Sequence, residues 1–314
     1  MIPRLERTRC SRGRRASSLI LAFGFLAAAC GEKECPVTQI APLSSAPPIT
    51  AALPIETTTT TPPDPCEPMP TSDVVLNIET DLTDEQIKYF VCGINIAVRE
   101  VESFPPTINL ALFNDKEELI STIGKFLPNS SFRGSPADEV AHAGLFDKGV
   151  IFWDYARSIG WADDPAFAFR VGAHEMFHAV ESYLSVSGYA EEKPAWLNEG
   201  AAEYFAMKLL EKYGFTEHLE EQRKDAEQFK RGFTAIGLLA WWESRGPYSG
   251  GFPQMNYPAM AEIVGGLVAR SSEQALLVDY WRERNSGESW LDTFERVFGI
   301  SVQNFYEAVD AEWG

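Results

Sequence analysis

Two short segments restrict the fold of this chain more than any other feature: His174-Glu175-Met176-Phe177-His178, and the run from Trp196 to Tyr204 that reads Trp-Leu-Asn-Glu-Gly-Ala-Ala-Glu-Tyr. His174 and His178 are four residues apart, so on a helix both imidazoles leave from one face and can share one metal ion. Asp163 and Asp164 are suitable N-caps and Pro165 a suitable first helical residue. The pattern therefore predicts a helix from about residue 165 into the early 180s. Ser185, Ser187 and Gly188 mark a short connection, and a second helix is expected from near Pro194 to Gly214. The two segments then fall on consecutive, antiparallel helices.

That arrangement has a specific chemistry. Glu199, 21 positions beyond His178, can supply a third ligand from the second helix. Two His and one Glu leave a fourth position open, which marks a catalytic zinc site rather than a structural one. Glu175 lies beside the ion without binding it, where a carboxylate can take a proton from water that the ion has acidified. The five-residue motif alone is short, and a surface helix with solvated His and Glu would carry the same letters. The context favours a site: the chain has only four His, and two of them stand at this spacing.

These two motifs resemble those of the gluzincin metallopeptidases, the group of thermolysin-like enzymes and zinc aminopeptidases. The likeness extends loosely over residues 73–314. It implies a zincin-like fold, with a small N-terminal α/β lobe and a mostly helical C-terminal lobe. It also implies that His174, His178 and Glu199 hold one Zn2+, and that Glu175 is the general base and later the proton shuttle. A Tyr opening a helix downstream of the third ligand is the usual oxyanion donor of the group. Tyr257, in Tyr257-Pro258-Ala259-Met260-Ala261, holds that place, with Tyr248 in the Gly-rich loop 246–251 as the alternative. The aminopeptidase branch carries a Gly-x-Met-Glu-Asn stretch upstream. Here the matching region reads His142-Ala143-Gly144-Leu145-Phe146-Asp147, so the expectation is an endopeptidase. In gluzincins the strand before the metal helix is an edge strand lining the cleft, the place residues 149–153 occupy. Their unbroken apolar run suits a buried central strand equally well.

Further site candidates follow from helical geometry. Glu203 stands one turn after Glu199 and can orient a ligand His through its other ring nitrogen, unless it is simply a solvated Glu. Asn198 is a weaker candidate for the same work. His142 and His218 are not needed for the metal set, and Trp241, Trp242 and the stretch from Phe229 to Phe233 read as core.

The start of the chain bears on location. Residues 1–29 combine six Arg, a short apolar run from Leu19 to Ala29 and small residues before Cys30, which describes an export signal. Leu26-Ala27-Ala28-Ala29-Cys30-Gly31 resembles a bacterial lipoprotein box, so Cys30 is expected to carry a lipid anchor, with plain secretion as the alternative. Arg14-Arg15 leaves Sec and twin-arginine export both open. Residues 30–72, rich in Pro and carrying the Thr57–Thr61 run, read as a disordered tether. Of the remaining cysteines, Cys35, Cys66 and Cys92, two are expected to pair outside the cytosol. Cys66 with Cys92 would staple the tether's end to the first helix. A net charge of −18, more acidic still without the leader's arginines, argues against nucleic acid or an anionic membrane surface as partner. Membrane contact is expected only through Cys30, and the expected partner is a peptide or protein substrate.

The body of the chain is long enough for one sizeable core. Val74–Ile78, Ile108–Phe113 and Gly149–Trp153 read as strands; Asp84–Val101 and Lys116–Phe126 read as helices; 129–137 is loop. Strands and helices followed by a helical run to the end, closed by two helices between Trp290 and Trp313, predict an α+β fold. The leading expectation is thus a zinc-dependent peptide-bond hydrolase at the cell envelope. The alternatives are an inactive homologue serving as a surface binding lipoprotein, and a zinc-stabilised structural protein. Intact ligands with Glu175 argue against the first alternative, and the open fourth position against the second.

Overall fold

A computed structural model describes residues 64–127, 143–146, 149–158, 162–185, 194–231, 239, 243, 256–284 and 288–313. The expected leader, the anchor at Cys30, Cys35, His142, Tyr248, Trp241 and Trp242 lie outside these residues. Among the described residues no helix is long and apolar enough to cross a membrane.

The fold is mixed α/β and mostly helical. Its N-terminal part alternates β1 (Val75–Thr80), α1 (Asp84–Glu100), β2 (Thr107–Phe113), α2 (Lys116–Phe126), β3 (Ala143–Phe146) and β4 (Val150–Asp154). The sheet order is β1-β2-β4-β3, with the first three strands parallel and β3 antiparallel to β4. Alternation along β2 explains why helices cover both faces. Ile108, Leu110 and Leu112 point into the main core, while Ala111 and Phe113 face the other side, against Leu119 and Ile123 of α2. Such two-sided burial is what a largely parallel sheet requires. The α1 helix starts at a capping box, in which the Thr83 side chain accepts from Gln86 N and Gln86 reaches back.

Of the two readings open for residues 149–153, the central strand is the one found: β4 lies between β2 and β3, and β3 takes the edge. The short β3 was missed because Ala and Gly at its start carry little strand preference and four residues show no readable alternation. The small N-terminal α/β part and the mostly helical remainder agree with the fold expected from the sequence; helices connect the first strands, which makes their pairing parallel.

The C-terminal part is helical: α3 (Pro165–Leu184), α4 (Ala195–Lys212), α5 (Thr216–Lys230), α6 (Tyr257–Arg270), a π-helical stretch Ala275–Asp279 running into Tyr280–Glu283, then α7 (Trp290–Phe298) and α8 (Val302–Trp313). Gly299 ends α7 in the left-handed conformation at φ 70°, which costs a glycine little. Two close crossings lock the central helices. A Cβ on Gly172 of α3 would lie 2.1 Å from the Phe90 carbonyl oxygen of α1, and one on Gly93 would lie 2.2 Å from that of Phe169. At the second crossing, a Cβ on Gly200 of α4 would meet Val264 Cγ2 of α6 at 2.7 Å. Only glycine lets these backbones approach so closely. The first crossing holds α3 against the layer that covers the sheet, where Phe90 also stacks on Trp153 at 4.7 Å.

The expected Cys66–Cys92 disulfide is present, with both cysteines buried in the main core. Around it, Tyr89 donates to Asp64 at 2.6 Å and Ser72 to Asn95 at 2.7 Å. Residues 64–72, assigned to the tether by composition, are therefore tied to α1.

Candidate metal centre

The metal helix begins as its sequence suggests. Asp164 is the N-cap and accepts from Ala166 N at 2.9 Å, and Pro165 occupies the first turn. Asp163 instead takes the Tyr155 hydroxyl at 2.6 Å. On α3, His174, Glu175 and His178 are all buried. On α4, whose N-cap is Pro194, Glu199 faces them and keeps 14% of its side chain exposed, so the centre is reached from solvent at its edge.

Three donor atoms converge. Nε2 of His174 and Nε2 of His178 are 3.1 Å apart, and each is 3.3 Å from Oε2 of Glu199. A tetrahedral ion bound at roughly 2.0–2.1 Å spans ligand-to-ligand edges of about 3.3 Å. The triangle therefore has the size of one face of a tetrahedral site. His174, His178 and Glu199 form a group able to hold a metal ion.

The electrostatics demand positive charge at the same point. Nδ1 of His174 is 3.0 Å from Glu203 Oε2, and Nδ1 of His178 is 2.9 Å from Glu181 Oε2. A carboxylate can only accept, so each Nδ1 donates and each Nε2 keeps its lone pair. Two lone pairs and a carboxylate then point at one another inside the protein, which is unfavourable without a cation between them. Without an ion, protons take that place. Burial alone would push His174 down, but Glu199 and Glu203 outweigh it and raise it to about 9. Burial likewise opposes charge on His178, yet Glu199 and Glu181 raise it well above its ordinary value. Glu199 is held well below the carboxylate range, because His178 and His174 overcome its desolvation. For Glu203 burial is again outweighed, here by Arg170 and His174, and its carboxyl is held at about 2. Protons or a metal ion can supply the positive charge this cluster calls for.

Glu175 differs from the other carboxylates. Burial pushes its carboxyl up, and among the described residues its Oε2 has no hydrogen-bond partner. A carboxyl held above its normal range, within reach of the charge of His174 and His178, is suited to passing a proton. Tyr257 opens α6 as expected, next to Pro258, and its ring packs edge-on against His174 with centroids 5.6 Å apart. Burial first, and then Glu199, Glu175 and Glu203, raise its hydroxyl well above its ordinary value, so it remains a neutral donor.

Glu203 sits where helical spacing placed it, behind His174. Three partners went unread in the sequence: Glu181 behind His178, and Arg170 with Gln222 behind Glu203. Arg170 Nη1 donates to Glu203 at 2.5 Å and to Gln222 at 3.2 Å. Glu181 carried the same signal of helical spacing, three residues after His178; the pairing of Arg170 with Glu203 and Gln222 joins three different helices and had no such signal. His218 lies outside the metal group and pairs with Asp164 at 3.2 Å. Comparison with known protein families, with curated proteins and with solved structures found no match.

Proposed function

We propose that the chain is a zinc-dependent peptide-bond hydrolase, acting as an endopeptidase at the cell envelope. The observation that carries this reading is the tetrahedral-sized face of His174, His178 and Glu199, together with a buried Glu175 that feels the charge of both His and has an oxygen without a hydrogen-bond partner among the described residues. A bound Zn2+ supplies Lewis acidity, acidifying water and polarising a substrate carbonyl. Glu175 accepts the proton of the attacking water and returns it to the departing amine, a two-way task that favours its raised pKa. The neutral Tyr257 hydroxyl donates a hydrogen bond to the oxyanion of the tetrahedral intermediate. His174 is kept in the metal-binding tautomer by Glu203. The edge strand β3, which packs on α3, offers main-chain groups to an extended substrate. The disulfide supports placement outside the cytosol, in keeping with export and a lipid anchor at Cys30.

The test is cleavage of casein or a mixed peptide library by the zinc-loaded full chain. Glu175→Gln should keep zinc and fold while losing about 10²–10⁴-fold in turnover, and Tyr257→Phe should lose about 10²–10³-fold. Full activity of Glu175→Gln would contradict the mechanism. A zinc-loaded wild type that cleaves no peptide would leave the binding-lipoprotein reading in its place.

A further inference from the structure

We infer that Glu181 is the positioning residue of His178 and that it sets the tautomer of this ligand against the pull of Asn198. The inference rests on the metal-site reading above and concerns how the chain prepares that site. Two groups compete for one ring nitrogen. Oε2 of Glu181 is 2.9 Å from His178 Nδ1, and the Asn198 amide nitrogen is 3.4 Å from the same atom. They ask for opposite protonation. A carboxylate requires hydrogen on Nδ1, whereas an amide NH2 requires the Nδ1 lone pair and would move the hydrogen to Nε2. Hydrogen on Nε2 would occupy the very atom that faces His174 Nε2 and Glu199.

Glu181 prevails for three reasons. It is nearer, and it carries a charge, which makes its hydrogen bond shorter and stronger than a neutral one. It also leans back along α3 toward His178, the direction in which helical side chains point, so the pair is set within one helical turn. Its burial is complete, so solvent screens neither the charge nor the bond. If the Asn198 amide were turned over, its oxygen would accept from the same N–H at the longer distance and the tautomer would be unchanged. In its present orientation the Asn198 oxygen has no hydrogen-bond partner among the described residues. In neither orientation does Asn198 decide the tautomer, and the role helical spacing offered to Asn198 falls to Glu181.

The experiment measures zinc affinity of the full chain by competition with a chromophoric chelator, together with thermal stability of the zinc-free form. Glu181→Gln, close to isosteric, should weaken zinc binding about 10–100-fold, the usual cost of losing such an outer partner. Asn198→Ala should bind zinc as wild type does. A merely structural Glu181 would lower zinc-free stability and leave affinity untouched, and that result would overturn the inference. So would a larger affinity loss in Asn198→Ala than in Glu181→Gln. If wild type binds no zinc, the metal-site reading falls in that arm, before any variant is compared, and this inference falls with it.

Discussion

Two regions of the molecule use the same pairings of acid and base to opposite effect. Near the C-terminus, Arg296 bridges Glu283 and Glu288, the latter at 2.8 Å, with both side chains of that pair about 40% exposed. In the centre, His178 meets Glu181 at 2.9 Å with side-chain exposures of 5% and 0%. Distance does not separate the two pairs; burial does. The exposed pair forms in water and is screened by salt, so it adds almost nothing to stability. The buried cluster draws carboxylates out of water, and such groups are kept in place only by compensating charge. Arg170 supplies part of that charge, and the remainder must come from protons or a divalent ion.

That contrast can be broken or sharpened by experiment, and the largest effect should come from the metal. Zinc at a hundredfold excess over its dissociation constant stabilises the folded form by about 2.7 kcal/mol, roughly 5–10 °C in Tm for a domain of this size. A thermal melt with and without chelator reads this directly, and His174→Ala should erase the difference. A smaller effect is expected from Gly172→Ala. Its methyl would overlap the Phe90 carbonyl oxygen at 2.1 Å, forcing α1 and α3 apart at about 1–3 kcal/mol. Denaturant midpoints of the zinc-free protein would show it. Arg296→Ala should leave the melting curve unmoved. A large loss there, or none on metal removal, would reverse the contrast between surface and centre.

The parts of the molecule legible in the sequence were those with local periodicity. The α3 helix, its Asp164 cap, the facing Glu199 and Glu203, and the opening of α6 at Tyr257 all follow from spacing and capping rules that need no knowledge of the fold. What stayed hidden depends on contacts between distant segments. Nothing in the letters says that Gly93 and Gly172 meet, since each is an ordinary helical glycine until the helices cross. The edge position of β3 depends on sheet order, which strand patterns do not carry. Glu181 was within reach of the same spacing rule, but an acid three residues after a His usually reads as a solvated helix face. Its complete burial against His178 becomes visible only once the chain is folded.

The most direct measurement is the metal content of the purified full chain, by elemental mass spectrometry, for wild type and His178→Ala. One zinc per wild-type chain and none in the variant is the expected result, because the variant removes one corner of the triangle that the two imidazoles form with Glu199. Equal zinc in both proteins, or none in wild type after incubation with the ion, would contradict a metal centre at His174, His178 and Glu199.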